Sequence, residues 1–374
     1  MVKIKLGDVI DFKNGKSIKK SDGNIPIYGG NGILGYTDKS NFSHTIVVGR
    51  VGAYCGSIHV EENLCWVSDN AIAGIPKEGQ DLTYWYYVLK SLNLNSKQIG
   101  SSQPLITQNM LKDMVVDVEI DNEKQKRIAK SILIIDQKIQ INNQINQELE
   151  AMAKTLYDYW FVQFDFPDQN GKPYKSSGGK MVYNPELKRE IPEGWGVEKL
   201  GDITICHDSK RVPLSSNDRE LVKGEIPYYG ATGIMDYVND YIFDGDYVLM
   251  AEDGSVMTEK GTPILQRISG KNWVNNHAHV LEPIKNHSCK LLMMLLKDVS
   301  VMKIKTGSIQ MKINQENMNK IVVPAIPLEL LFEINQKLEV IDKQQLNLIE
   351  ENKQLTQLRD WLLPMLMNGQ VKVE

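Results

Sequence analysis

The stretch Gly30-Asn31-Gly32-Ile33-Leu34-Gly35 spells G-x-G-x-x-G, the spacing that lets a backbone approach a dinucleotide pyrophosphate. That chemistry needs a strand before the glycines, a helix N-terminus after them and an acid on the ribose about twenty residues later. Here Tyr36-Thr37-Asp38-Lys39-Ser40 reads as a turn, and the related stretch from Gly230 to Asp236 loses the spacing. Glycines of a tight surface turn are the better account. His277 and His279 would share one face of a strand, as two zinc ligands could. No third ligand stands at a matching spacing, and Ala71 and Ala73 occupy the comparable stretch of the first half, so a structural or hydrogen-bonding pair is expected. Asp246, Glu252 and Asp253 have the carboxylates of a nuclease but lack its lysine. The chain has no P-loop, no G-x-S-x-G and no Asn/Asp-Pro-Pro-Tyr-type loop for base methylation. No catalytic residue and no metal site are expected.

The loops carry residues of a different kind. Lys16, Lys19 and Lys20 cluster early, Tyr28 precedes a Gly-Gly-Asn-Gly turn containing Asn31, and Arg50 follows a run that reads as a strand. Ser101, Ser102 and Gln103 form a loop of small donors and acceptors. The second half repeats these features at Tyr228, Tyr229 and Thr232, then at Thr306, Ser308, Gln310 and Lys312. Asn, Gln, Ser and Arg on loops read base edges, while Lys and backbone N–H groups hold phosphates. These residues are the candidate nucleic-acid contacts.

Two long helices must position those loops. Apolar residues recur at Ile128, Ile132, Ile135 and Ile139, then at Leu149, Ala153, Leu156 and Trp160, in alternating steps of four and three. That is the heptad seam of a helix packed along its length against another, interrupted by Asn142 and Asn146. At an offset of 206 the pattern returns at Ile334, Leu338, Ile341, Gln345, Leu348, Asn352, Leu355 and Leu362. Antiparallel pairing about a pseudo-twofold, with partner numbers summing to about 490, places Asn146 beside Gln345 and Asn142 beside Leu348. A 39-residue helix from Glu123 to Phe161 would be about 58 Å long, enough to hold two modules about one duplex turn apart.

The globular segments repeat as well. Lys5-Leu6-Gly7-Asp8 returns as Lys199-Leu200-Gly201-Asp202, and Ile25-Pro26-Ile27-Tyr28-Gly29 as Ile226-Pro227-Tyr228-Tyr229-Gly230. The Gly100-Ser101-Ser102-Gln103 loop returns as Gly307-Ser308-Ile309-Gln310. Between these blocks the halves diverge, as expected if the frame is shared and the working surfaces differ. The expected organisation is α+β: mixed α/β globular domains at 1–120 and 196–325, long antiparallel helices at 121–162 and 326–374, and a connector at 163–195. The connector's Gly, Pro, Ser and Lys content predicts order in patches at best.

Composition bounds the class. At 374 residues, 42% hydrophobic and 24% charged, the chain has the make-up of a globular protein of two domains. No apolar run approaches a membrane span, and MVKIKLGDVI lacks a signal-peptide core, so a cytoplasmic protein is expected. The four cysteines show no C-x-x-C spacing and read as free thiols. A net charge of −4 neither announces nor excludes a nucleic-acid partner, because phosphate contacts need only local basic patches.

With these blocks in place the chain resembles, over essentially its whole length, the specificity subunits of type I restriction–modification enzymes. The I-P-x-Y-G turns, the TIVVGRVGAYCGSI block, the GS-x-Q loops and above all the FDFPDQNGKPYKSSGGKMVYNPELKREIPEGW connector carry the resemblance; the usual G-x-W lead before the first domain is missing. The resemblance implies two target-recognition domains reading the halves of a split, asymmetric double-stranded DNA site. It also implies spacer helices that bind two modification (methyltransferase) subunits, which restriction subunits then join. S-adenosylmethionine, ATP and Mg would belong to those partners and no cofactor to this chain. The alternatives are a single-chain restriction or methylation enzyme, disfavoured by the missing motifs, and a non-catalytic coiled-coil protein–protein adaptor.

Overall fold

The computed structural model describes residues 1–97, 104–307, 311–371 and 373. It separates into two compact units, Met1–Gln144 with Ile349–Glu374, and Ile145–Leu348.

The first unit contains strands β1 (Val2–Lys5), β2 (Ile10–Asn14), β3 (Ile25–Gly29), β4 (Gly32–Thr37), β5 (Phe42–Gly49), β6 (Ile58–Val67), β7 (Ala71–Pro76) and β8 (Val115–Val118), with helices α1 (Leu6–Val9), α2 (Leu82–Ser91) and α3 (Gln108–Asp113). Six strands make one sheet in the order β2-β7-β5-β6-β3-β4, and β1 pairs antiparallel with β8. The run Thr45-Ile46-Val47-Val48 lies at its centre because both faces are covered there. Ile46 and Val48 pack towards Trp85, Val88 and Leu89 of α2, and Val47 packs towards Tyr28, Cys65 and Ala73. Asp81 caps α2 by accepting from Tyr84 N at 2.7 Å.

The second unit repeats the plan. Its strands are β9 (Met181–Asn184), β10 (Arg189–Pro192), β11 (Gly196–Lys199), β12 (Thr204–Cys206), β13 (Lys223–Tyr229), β14 (Ile234–Val238), β15 (Phe243–Asp244), β16 (Tyr247–Ala251), β17 (Leu265–Ile268), β18 (Lys271–Val274), β19 (Ala278–Pro283) and β20 (Val322–Ala325). Two four-stranded sheets, β12-β19-β16-β17 and β14-β13-β18-β15, stand where the first unit has one sheet of six, and β11 pairs with β20 as β1 does with β8. Tyr28 runs parallel to Val67 and Tyr229 parallel to Val274 in equivalent crossings. Helices α5 (Leu200–Ile203), α6 (Ser216–Leu221), α7 (Cys289–Leu296) and α8 (Gln315–Asn319) complete the globule, with α7 in the place of α2.

The connector is more ordered than its composition predicts. Phe164 and Phe166 are buried, Tyr174 stacks on Phe166 at 4.8 Å, and Phe166 stacks on Trp195 at 5.3 Å. Asp165 accepts from Ser176 N and Oγ, and β9 and β10 form a hairpin. The Gly and Pro residues supply turns, and the aromatics spaced between them supply the buried area that a linker lacks.

The long helices are α4 (Asn122–Tyr157) and α9 (Leu328–Met367), and each unit holds a segment of both, running antiparallel. In the first unit Asp136 pairs with Arg359 at 2.9 Å and Lys138 with Glu351 at 3.4 Å. Ile128, Ile132 and Ile135 are buried there, and Ile139, Leu355 and Leu362 are half-buried. In the second unit Leu149, Ile334, Leu338 and Ile341 are buried, with Leu156 and Leu348 half-buried. Gln345 Nε2 donates to Asn146 O at 3.2 Å, so those two residues are neighbours as expected. Asn142 is a correction. It donates to Glu351 at 2.8 Å and Asn352 at 2.9 Å, one helical turn from Leu348. The buried amide seeks oxygens, and Leu348 offers none.

Candidate nucleic-acid interface

Three backbone segments converge at one edge of the first unit's sheet: the β3–β4 turn, the β5–β6 connection, and the chain returning at Pro104–Ile106. Ser57 Oγ and His59 Nε2 both donate to Gly30 O, which ties the turn to β6. Ile106 N donates to Arg50 O at 3.0 Å, Arg50 N donates to Asn70 O at 3.0 Å, and Val51 bridges Leu105. Gly32 holds φ +84° in the turn, a conformation glycine adopts without strain. G-x-G-x-x-G is thus a β-hairpin with no helix behind it.

The second unit builds the same edge with the same bonds. Glu252 N donates to His277 O at 2.9 Å and Ile313 N donates to Glu252 O at 2.8 Å. Gln266 Nε2 donates to Gly230 O and Ala231 O, holding the β13–β14 turn. Strand register sharpens the equivalence. Val48 faces Ile72 and Met250 faces His279, so Asn70 and Ile72 occupy the places of His277 and His279, one residue from the Ala71 and Ala73 expected.

The two edges differ in charge. In the first unit the Lys16–Ser21 segment runs beside the hairpin, with Lys16 O accepting from Trp66 Nε1 at 2.6 Å and Ser21 N donating to Tyr36 O at 3.2 Å. Lys16, Lys19, Lys20 and Asn31 are exposed, and Arg50 is half-buried. In the second unit the edge rests on a knot of charges. Arg211 spans Asp208 at 3.2 Å and Glu252 at 2.7 Å, and Lys312 reaches Glu252 at 3.0 Å. His279 faces Asp208 through Nδ1 at 2.5 Å and donates from Nε2 to Ile313 O at 2.8 Å. Burial opposes ionisation of both acids. The hydrogen bond and charge of His279 nevertheless draw Asp208 below its ordinary value, and bonds from Arg211 and Lys312 do the same for Glu252.

The fold brings Cys206 and Asp208 to His279, a grouping of metal-ligand type that sequence spacing did not reveal. Asp208 stands 71 residues away from His279 in the chain. Their polar atoms engage one another and Arg211, and burial with the neighbouring Asp208 pushes the Cys206 thiol up to about 12. His279 bonds both Asp208 and Ile313 O in this grouping. His277 pairs with Asp253 at 2.6 Å, and Asp246 pairs with Arg267 at 3.0 Å.

Two of the candidate DNA contacts are corrected. Tyr28 is 8% exposed and donates to Glu61 at 3.1 Å, while Tyr228 is 1% exposed and accepts from Leu214 N at 2.9 Å. The Tyr28 ring packs with Val47, Cys65 and Ala73, and the Tyr228 ring lies beneath the Arg219 guanidinium at 5.2 Å. Tyr229 is half-buried; Thr232, Thr306 and Lys312 are exposed. Ser101, Ser102, Gln103, Ser308 and Gln310 lie outside the described residues. Sequence reasoning missed Val51, Tyr54 and Asn70, which with Asn31 and Leu34 line a recess of about 360 Å³ at the first edge. An aromatic residue beside glycine in the Gly52-Ala53-Tyr54 turn was the available signal.

A family model described as Type I restriction modification DNA specificity domain matches residues 1–151 and 192–357. The chain is 26% identical over 325 residues to the type I restriction enzyme MjaIX specificity subunit of Methanocaldococcus jannaschii, covering 80% of this chain and 71% of that one. It is 24% identical over 336 residues to the type I restriction enzyme HindI specificity subunit of Haemophilus influenzae, covering 72% and 71%. The crystal structure of a type I restriction–modification S subunit from M. genitalium shares the fold, with a TM-score of 0.60 at 18% identity over 98% of this chain and 96% of that one.

Proposed function

The chain belongs to the type I restriction–modification DNA specificity family, and from that premise we propose that each unit reads one half of a split, asymmetric double-stranded DNA site. The observation that carries this reading is the repeated edge: one set of backbone bonds in both units, with Arg50 and Asn70 on one and Glu252 and His277 on the other. A shared frame under divergent surface side chains is what reading two different sequences requires.

The chain itself contributes no catalytic residue and no cofactor. Two modification subunits, carrying S-adenosylmethionine, dock on α4 and α9, and restriction subunits with ATP and Mg join them. Exposed apolar residues on the helices support such docking, Ile134, Ile141 and Trp361 in the first unit and Met152, Phe332 and Val340 in the second. No described helix is long and apolar enough to cross a membrane, and the complex works in the cytoplasm on incoming DNA. An adaptor that ignores DNA is not favoured, since the family model spans both units.

The test is binding of the chain with its modification partner to a library of duplexes. Salt-dependent selection of one bipartite sequence is expected. Binding that selects no sequence, or that needs no DNA, would overturn the reading.

A further inference from the structure

The two recognition edges differ most sharply at one pair of equivalent positions. The backbone beneath them is the same: Arg50 N to Asn70 O in the first unit, Glu252 N to His277 O in the second. The strands that end there are closed, with Ala71, Ala251 and Ala278 wholly buried. The next residue outward is Val51 in one unit and Asp253 in the other; Val51 lines one recess with Asn70, and Asp253 pairs with His277 at 2.6 Å. Both pairs reach solvent: Val51 is 39% exposed and Asn70 is exposed, while the side chains of His277 and Asp253 are 46% and 33% exposed.

Their chemistries are complementary to different base pairs. The amide of Asn70 offers a donor and an acceptor side by side, the pattern that matches adenine N6 and N7 in the major groove. Val51 and the 53%-exposed Tyr54 ring lie in the same recess and offer apolar surface to a thymine methyl. In the second unit Asp253 Oδ1 faces His277 Nδ1 at 2.6 Å, which fixes the carboxylate and leaves its other oxygen without a hydrogen-bond partner among the described residues. An acid is repelled by phosphates, and its place on a DNA-facing edge is favourable where it accepts from cytosine N4. Resting on the reading of this chain as a DNA-specificity subunit, we propose that these positions are its specificity-determining residues. Asn70, flanked by Val51 and Tyr54, reads an A·T pair in the first half-site. Asp253, positioned by His277, reads a C·G pair in the second.

The full chain is expressed with its modification partner in a host lacking other DNA methyltransferases, and the methylated motif is read by sequencing. Asn70→Ala should relax one A·T position of one half-site, lowering discrimination there roughly tenfold or more, with the other half unchanged. Asp253→Asn, which adds a donor, should relax or shift a C·G position of the other half only. His277→Gln should weaken that same position without touching the first half, an effect that loss of folding would not confine. Thermal midpoints equal to the parent chain are expected, because all of these side chains reach solvent. Unchanged motifs in both Asn70→Ala and Asp253→Asn, or simultaneous relaxation of both halves, would overturn the assignment while leaving the specificity function standing. A parent chain that directs methylation to no bipartite motif would overturn the function, and the assignment with it.

Discussion

Replacing Arg211 by Met tests the charge knot directly. The guanidinium bonds Glu252 at 2.7 Å, Ala278 O at 2.7 Å and Asp208 O at 3.0 Å, and pairs with the Asp208 carboxylate at 3.2 Å. The side chains of Arg211, Asp208 and Glu252 are only 11–12% exposed, so water cannot replace the missing partner well. Met fills much of the volume and leaves two carboxylates facing each other's field. Breaking a buried pair from one side costs about 3–5 kcal/mol, a large share of the roughly 5–15 kcal/mol of a typical domain. The assay is urea unfolding of the whole chain, with amide exchange in β16 and β19 to localise the loss. Adding Asp208→Asn and Glu252→Gln should recover most of it, because the first unit holds the same frame with Ile72 and Arg50 in the places of His279 and Glu252. The deficit should also depend on pH. Both carboxyls sit below their ordinary values, so the stability they contribute is complete above about the usual 3.8 and 4.5 and fades as pH falls through the depressed values. The gap between parent and variant should therefore narrow on acidification. A deficit under about 1 kcal/mol at neutral pH, or one that does not narrow, would show that the carboxylates are solvated and that the knot does not hold the edge.

Replacing Lys16 and Lys19 by Ala should weaken DNA binding across all sequences. It should also lower the salt dependence by about one counterion for each phosphate no longer neutralised, read from the slope of log K against log salt. Asn142→Leu should change stability by no more than about 1 kcal/mol, because Asn142 Oδ1 is buried without a partner among the described residues, and it should loosen helix register as seen by cross-linking. Phe161→Ala should cost about 3–5 kcal/mol by opening a cavity at a fully buried ring, measured by chemical unfolding. The segment Phe164–Trp195 should resist limited proteolysis in the parent chain, whereas Trp195→Ala should make it a cleavage site.

The architecture was legible in linear order, because repetition and periodicity survive there. Heptad spacing from Ile128 to Leu156 and from Ile334 to Leu362 marked both helices, and matched blocks such as Ile25–Gly29 and Ile226–Gly230 marked the repeated sheets. Glycines at the β3–β4 turn were legible as a turn because φ restricts which residues can stand there. Which residues of those loops face outward was settled by the folded chain. Tyr28 and Tyr228 looked like DNA contacts beside a flexible turn, but the Tyr28 ring is buried against Val47 and Cys65 and the Tyr228 ring beneath Arg219. Val51, Tyr54 and Asn70 come from separate segments and meet only when Ile106 N and Arg50 N close the edge. The connector looked like a linker until Phe166, Tyr174 and Trp195 stacked. Asp208, Arg211, Glu252 and His279 show no local pattern at all, since the charges that stabilise one another there are brought together by pairing of β12, β16 and β19. Local sequence encodes period and turn; electrostatic partnership across a sheet depends on register, and register is settled only when the strands pack.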